Sequence, residues 1–409
     1  MRFVYSALMT LALPALLVAG LWRMLKGTEP PAALPERLGF VPRPASTSPT
    51  LWLHGASVGE LTSARWIIQG LLRDHPGLQI LITCNTATAR AMVQGWALPG
   101  LTAALAPFDI VGAPGRVLRR WHPKALIVVE NELWPNRLAA LRKAGVPLIL
   151  IGARLSPRSA KRWAKLPGLV TPMLASVAWM SAQDQGSRER LAALGVPASA
   201  LGPDFALKAM ISRAGPSKLP GPAPRAQVLL AASTHEGEEA PILAAFRAQS
   251  NFTHLILAPR HPARGDQIAA LILAMGFPVA RRAWGAVPQP DHPVFLADTL
   301  GEMDLWYAMS GTCLIGGSLT DKGGHTPYEP GQYACALLHG PSTTNFAALF
   351  ARLDAAKGAV AVTPETLAKI LAALTPQLQT RMAENAAPIL HPDDDGRWLL
   401  TDILRHASL

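Results

Sequence analysis

The chain has 409 residues, a formal net charge of +11, 33 glycines, 37 prolines and three cysteines, and half of its residues are hydrophobic. This length and apolar content fit two domains of ordinary size, each with a sizeable core. The cysteines, Cys84, Cys313 and Cys335, show no CxxC or metal-ligand spacing and read as buried free thiols of a reducing compartment. The positive charge calls for anionic partners, and the scattered basic residues, without aromatic interleaving, set nucleic acid aside.

Residues 3–22 are almost wholly apolar and uncharged, enough to span a bilayer. Arg2 precedes the run, and Arg23 and Lys26 follow it. The stronger basic flank lies after the apolar core, which favours an uncleaved anchor (residues 1–26) over a signal peptide. The positive-inside rule then puts the body of the protein in the cytoplasm. Pro14 leaves shallow insertion open beside a full span. Residues 27–49 are Pro-rich and aperiodic, and read as a linker.

From Leu51 onward, short apolar runs alternate with helical patterns. Leu51-Trp-Leu, Leu78–Ile82, Leu101–Leu105, Ala125–Val129, Leu148–Ile151 and Val177–Met180 look like buried parallel strands. A second break, the Pro/Gly-rich stretch 211–224, separates residues 50–210 from 225–409, where the alternation restarts with Val228, His254, Val279, Val294 and Cys313 segments. The pattern predicts two Rossmann-like parallel-sheet α/β domains. Ligands of such sheets bind beyond the carboxyl ends of the strands, so a cleft between the domains is the expected site.

Polar residues cluster just after these strands. In His54-Gly-Ala-Ser57-Val-Gly59-Glu60, the glutamate falls in the first helical turn, as a complement to the helix dipole or as a general base. Glu130-Asn-Glu132-Leu-Trp-Pro places two carboxylates past an aliphatic strand, either lining a cleft or sitting in a solvated turn. Arg154-Leu-Ser156-Pro-Arg158, extended by Arg162 and Lys165, suits a phosphate, a carboxylate or an anionic membrane. Ser233 and Glu236 have capping-box spacing. Arg260 and His261 follow a strand where an anion would be met. The richest segment, GGSLTDKGGHTPYEP from Gly316 to Pro330, contains Gly317, Ser318, Gly324, His325 and Glu329. Its glycines allow backbone N–H groups to cradle a phosphate, or serve only chain reversal. Asn345 lies in a last polar turn. None of these strand-end segments carries a paired-aspartate motif for Mg²⁺.

HGASVGE, NELWPN, ARLSPRS, STHEGEE, PRHPAR, DTLGE and GGHTPYEP together, in this order, resemble the 3-deoxy-D-manno-octulosonic acid (Kdo) transferases of lipopolysaccharide synthesis. The resemblance runs from the N-terminal anchor to Asn345-Phe346. It implies a GT-B-type glycosyltransferase with no cofactor and no metal requirement, working at the cytoplasmic face of the inner membrane. CMP-Kdo would be the donor and the lipid A precursor the acceptor. It further implies Glu60 as catalytic base and donor contacts from Arg260, Gly317, Ser318, Glu329 and Asn345, to which His261, Gly324 and His325 are added as candidates. Ser57, Gly59, Glu130, Glu132, Arg154 and Ser156 are the candidate acceptor-side residues. The chain departs from the family pattern at Asn131, Thr326 and Ser342, and Lys208 is a loose match to the family's lysine before the linker. A sugar-nucleotide epimerase of the same architecture and an inactive membrane-anchored nucleotide binder are the competing readings.

Overall fold

The computed structural model describes residues 1–210, 219–391 and 396–409. The chain divides into two compact units, Met1–Ile211 with Asp394–Leu409, and Ser212–Asp393. Of the expected interdomain linker 211–224, residues 211–218 lie outside the described residues.

The first unit opens with α1 (Arg2–Leu25) and α2 (Ala33–Arg37). It then alternates β1 (Thr50–His54), α3 (Val58–Asp74), β2 (Gln79–Cys84), α4 (Ala87–Gly95), β3 (Leu101–Leu105), α5 (Ala113–Trp121), β4 (Leu126–Val129), α6 (Pro135–Ala144), β5 (Leu148–Ala153), α7 (Pro157–Trp163), α8 (Pro167–Leu174), β6 (Val177–Ala182) and α9 (Gln185–Leu194). The strands form one parallel sheet in the order β3-β2-β1-β4-β5-β6. Both of its faces are covered, which is why its strands are apolar at nearly every position rather than at alternate ones. Leu51, Leu53, Ile80 and Ile127 pack on one face with Ala64, Ile67 and Ile68 of α3. Trp52, Leu81, Leu126 and Val128 pack on the other with α5 and α6.

The second unit contains β7 (Val228–Thr234), α10 (Glu239–Arg247), β8 (His254–Pro259), α11 (Gly265–Ala274), β9 (Ala280–Arg281), β10 (Val294–Leu296), α12 (Met303–Met309), β11 (Thr312–Ile315), α13 (Tyr328–Gln332), β12 (Ala336–His339), α14 (Ala347–Ala355), β13 (Ala359–Ala361), α15 (Pro364–Ala373) and α16 (Pro376–Leu390). Its parallel sheet runs β13-β12-β11-β7-β8-β10-β9. The strand order reverses direction between β1 and β4 in the first unit and between β7 and β11 in the second. These are the two places where an open parallel sheet leaves a crevice at its carboxyl edge.

Two boundaries differ from the sequence expectation. The last helix, α17 (Arg397–Ala407), belongs to the first unit, not to a second domain reaching 409. Leu399 and Ile403 enter the core under α3, and the Trp398 ring stands edge-on to Phe205 at 5.7 Å and to Trp179 at 6.3 Å. An amphipathic helix goes wherever its apolar stripe finds cover, and sequence order does not dictate which sheet provides it. Residues 27–49 are likewise part of the first unit rather than a free linker. Glu36 is buried, accepts hydrogen bonds from the Arg90 guanidinium (2.8 and 3.0 Å) and accepts the Leu105 N–H at 2.6 Å. Trp121 Nε1 donates to the Pro42 carbonyl at 2.7 Å. Cys84, Cys313 and Cys335 are free and buried.

Candidate active site

In the first unit the polar groups converge at the β1/β4 switch point. Ser57 is the N-cap of α3, its hydroxyl accepting the Glu60 N–H, so Glu60 is fixed in the first turn. The Glu60 carboxylate accepts the Ala56 N–H at 2.7 Å and the Ser57 hydroxyl at 3.1 Å. Burial, reinforced by the Glu130 carboxylate, pushes the Glu60 carboxyl up to about 7, and the two hydrogen bonds only partly oppose this. A carboxyl that titrates near neutrality is suited to take and release a proton.

Glu130 follows β4 with φ of 60°. That left-handed conformation is costly for a side chain with a Cβ and is typical of functional positions. The Glu130 N–H bonded to the Ile151 carbonyl at 3.0 Å holds it there, and Lys208 Nζ lies 3.1 Å from its Oε1. Glu132 accepts hydrogen bonds from Trp134 Nε1 (2.7 Å) and Asn85 Nδ2 (3.2 Å) and faces His54 Nε2 at 3.8 Å. The His54 ring first, then the Trp134 indole and the Asn85 amide, hold the Glu132 carboxyl down at about 2, against its burial.

His54 itself is fully buried, and burial followed by the Arg137 charge pushes it down to about 4. It is therefore neutral at pH 7. Trp52 Nε1 donates to Thr83 Oγ1 at 2.9 Å, and the same hydroxyl meets His54 Nδ1, also at 2.9 Å. Arg154, whose N–H meets the Glu130 carbonyl at 3.4 Å, and Ser156, the N-cap of α7, stand at the end of β5, one strand further along. Ser156 accepts the Ser159 N–H and is a helix cap first of all.

In the second unit, cationic and imidazole groups gather around the ends of β7, β8 and β11. His235 Nε2 meets His325 Nε2 at 2.9 Å, with the two rings parallel within 7°. The His261 ring lies 5.8 Å from that of His235. Burial first, then the nearby His261, Lys322 and Arg260, hold His235 below its ordinary value, with Glu238 opposing. Arg260 is exposed at the end of β8. Such a cluster attracts an anion.

The glycine-rich loop is organised differently from the expected phosphate cradle. The Gly317 N–H and the Leu319 N–H both donate to the buried Glu238 carboxylate, at 2.7 and 2.9 Å, together with the His235 N–H at 2.8 Å. The Gly323 N–H goes to Ser342 Oγ, the Gly324 N–H to the Gly317 carbonyl and the His325 N–H to the Gly316 carbonyl. The loop folds back on itself, and its glycines serve close backbone approach within the protein. Ser318 is wholly buried: its hydroxyl donates to the Ile315 carbonyl and accepts the Gly340 N–H at 2.7 Å. Asn345 Nδ2 donates to the carbonyls of Lys322 and Gly324, closing the loop. Glu329 in α13 accepts the Tyr307 hydroxyl at 3.3 Å.

Ser233 and Glu236 form no capping box: α10 starts at Glu239, and Ser233 has φ of 59°. Sequence reasoning missed His54, Thr83, His235, Glu238 and Lys322 as members of these clusters. His54 and Glu238 were visible within strand-end motifs, but only a buried position shows their partners.

Two parallel-sheet α/β domains, each with its charged residues at the carboxyl ends of its central strands, give the chain a GT-B-type architecture. The family model "3-Deoxy-D-manno-octulosonic-acid transferase (kdotransferase)" matches residues 32–209. The chain is 31% identical over 397 residues to the 3-deoxy-D-manno-octulosonic acid transferase of Haemophilus influenzae, covering 93% of this chain and 92% of that one. It is 36% identical over 336 residues to the Bordetella pertussis enzyme of the same name, covering 78% of this chain and 76% of that one. A solved UDP-N-acetylglucosamine 2-epimerase shares the fold, with a TM-score of 0.61 at 12% identity, over 88% of this chain and 97% of that one. The chain belongs to the 3-deoxy-D-manno-octulosonic acid transferase family.

Proposed function

We propose that this enzyme transfers Kdo from CMP-Kdo to the lipid A precursor, lipid IVA, at the cytoplasmic face of the inner membrane, with Glu60 as general base. The observation that carries the reading is the Glu60 carboxyl, pushed up to about 7 at the switch point of the first sheet. An acceptor hydroxyl must lose its proton as it attacks the anomeric carbon of the donor. A carboxylate with a value near the working pH does this best. The first unit supplies the base and the acceptor side, where Ser57, Gly59, Glu130, Glu132, Arg154 and Ser156 are the candidates.

The second unit holds the donor. Arg260, His261 and His325 face the CMP phosphate, joined by His235 and Lys322, and the Arg260 and Lys322 charges together with imidazole N–H donors stabilise the departing CMP. Gly317, Ser318, Gly324 and Asn345 act by shaping the loop, and Glu329 remains the candidate for a donor hydroxyl. Membrane attachment rests on the apolar helix α1.

The test is to incubate the protein with CMP-Kdo and lipid IVA in vesicles and measure the lipid mass. A gain of one or more Kdo units is expected. Glu60→Gln keeps size and hydrogen bonding but cannot take a proton, and a loss on the order of 10²–10⁴ in rate is expected. Near-normal turnover in that variant would move the base to Glu130 or Glu132.

A further inference from the structure

Helix α1 turns its large apolar side chains outward. Val4, Leu8, Leu11, Val18, Trp22 and Leu25 are all exposed and share one face at the helical period. The opposite face, with Tyr5, Ser6 and Gly20, meets the first unit. At the amino end, Ser6 Oγ donates to Asn136 Oδ1 at 2.6 Å, and Met1 and Phe3 line a groove with Pro135 and Leu138 of α6 and Gly168 of α8. At the carboxyl end, Gly20 is buried with Leu34 of α2 beside it. There Arg23 Nε lies 3.4 Å from Glu29 Oε1, which also pairs with Arg37 at 3.2 Å.

A helix of 24 residues is about 36 Å long. If it crossed a bilayer, its two ends would stand on opposite sides, and one folded unit could not hold both. We infer that α1 lies in the plane of the membrane as an interfacial helix, its outward apolar face immersed in one leaflet, and does not span. This rests on the membrane attachment proposed above.

The neighbouring surface fits the same occupant. Residues 157–174, which form α7 and α8 and their junction, carry Arg158, Lys161, Arg162 and Lys165 and no carboxylate. Arg162 and Trp163 share a groove of about 420 Å³ with Tyr5 of α1. An apolar helix bordered by cations is the signature of a segment lying among anionic headgroups. The same groove is lined by Trp134 and Leu166 and reaches Glu132. An in-plane α1 therefore sets the mouth of the groove at the level of the lipids.

The experiment places single nitroxide labels at Phe3, Leu11, Val18 and Leu25, all exposed, in the full chain bound to phosphatidylethanolamine–phosphatidylglycerol vesicles, and measures the depth of each. The native cysteines are buried and stay unlabelled. Four similar depths, roughly 5–10 Å below the headgroups, support the in-plane helix. Leu11 and Val18 near the bilayer centre, with Phe3 and Leu25 at opposite surfaces, would overturn it while leaving membrane attachment intact. Absence of vesicle binding would overturn both. As a second measurement, a disulfide between Ser6→Cys and Asn136→Cys should form in the vesicle-bound protein. A spanning helix would leave these residues too far apart to join.

Discussion

Lys208 Nζ lies 3.1 Å from Glu130 Oε1, and the Glu130 carboxylate is in turn the main charge that helps burial raise Glu60. The lysine thus tempers the Glu60 carboxyl from one residue away. Lys208→Met leaves Glu130 uncompensated and should move the rising limb of the pH–rate profile above its expected midpoint near pH 7. Glu130→Gln removes the like charge and should move it below. Profiles of kcat measured for the three proteins check this, and identical midpoints would refute the coupling.

Glu60 also links stability to pH. Its folded value, about 7, lies above its ordinary 4.5, so the folded state binds the proton more tightly than the unfolded one. Stability therefore rises as pH falls from about 7 toward 4.5. His54 acts in the opposite sense: its folded value of about 4 is below the ordinary 6.5, and its contribution is lost as pH falls across that range. The two offset each other in the native chain. Glu60→Gln removes the first contribution, so its stability relative to the native chain should drop by up to about 3 kcal/mol between pH 7 and pH 4.5. Urea unfolding at both pH values measures the difference, and a pH-independent difference would sink the assignment.

Glu238 holds three backbone N–H groups of the second unit's site in place. Glu238→Ala leaves them without their buried acceptor. Hydrogen bonds to a charged group are worth about 1.5–3 kcal/mol each, so the Gly317–Leu319 turn should loosen and CMP affinity should fall at least about tenfold. Isothermal titration with CMP reads this directly. Unchanged affinity would mean that the turn does not shape the donor site.

Arg260→Ala should weaken CMP binding by a factor of about 10–100, the equivalent of one charge-assisted contact. Because Arg260 is exposed, its removal should leave the melting temperature unchanged. Equal CMP affinity in the two proteins would remove Arg260 from the donor site.

Two glycine substitutions separate backbone packing from ligand approach. A Cβ on Gly59 meets nothing within 4 Å, whereas one on Gly340 collides with the Ser318 backbone carbonyl. Gly340→Ala should cost about 1–3 kcal/mol of stability, and Gly59→Ala should melt at or above the native temperature, since alanine favours the helix. Any loss of transfer in a stable Gly59→Ala protein then reports a substrate close to that backbone. Thermal melts and transfer assays on both proteins distinguish the cases.

Much of the fold was legible because buried parallel strands are continuous apolar runs. Leu101–Leu105 was placed to the residue. β12 and β13 were not, since Ala336–His339 and Ala359–Ala361 are too short to show a period. The site was legible as a set of strand-end motifs, with Ser57, Glu60, Glu130, Glu132 and Arg260 all found at such ends. What each does was less legible. Ser318 and Gly317 look like ligand contacts in the sequence, but their polar groups bond within the protein. Whether a hydroxyl or an N–H faces inward depends on residues far along the chain, such as Glu238 or Gly340.

The return of α17 to the first sheet governs the order in which the chain matures. Leu399 and Ile403 complete a core begun at Leu51, so nearly the whole polypeptide must leave the ribosome before that core closes. The 219–391 region emerges in between, with its own sheet already whole. The first unit therefore closes its core only with the last residues of the chain, whereas the sheet of the second unit is complete by Ala361.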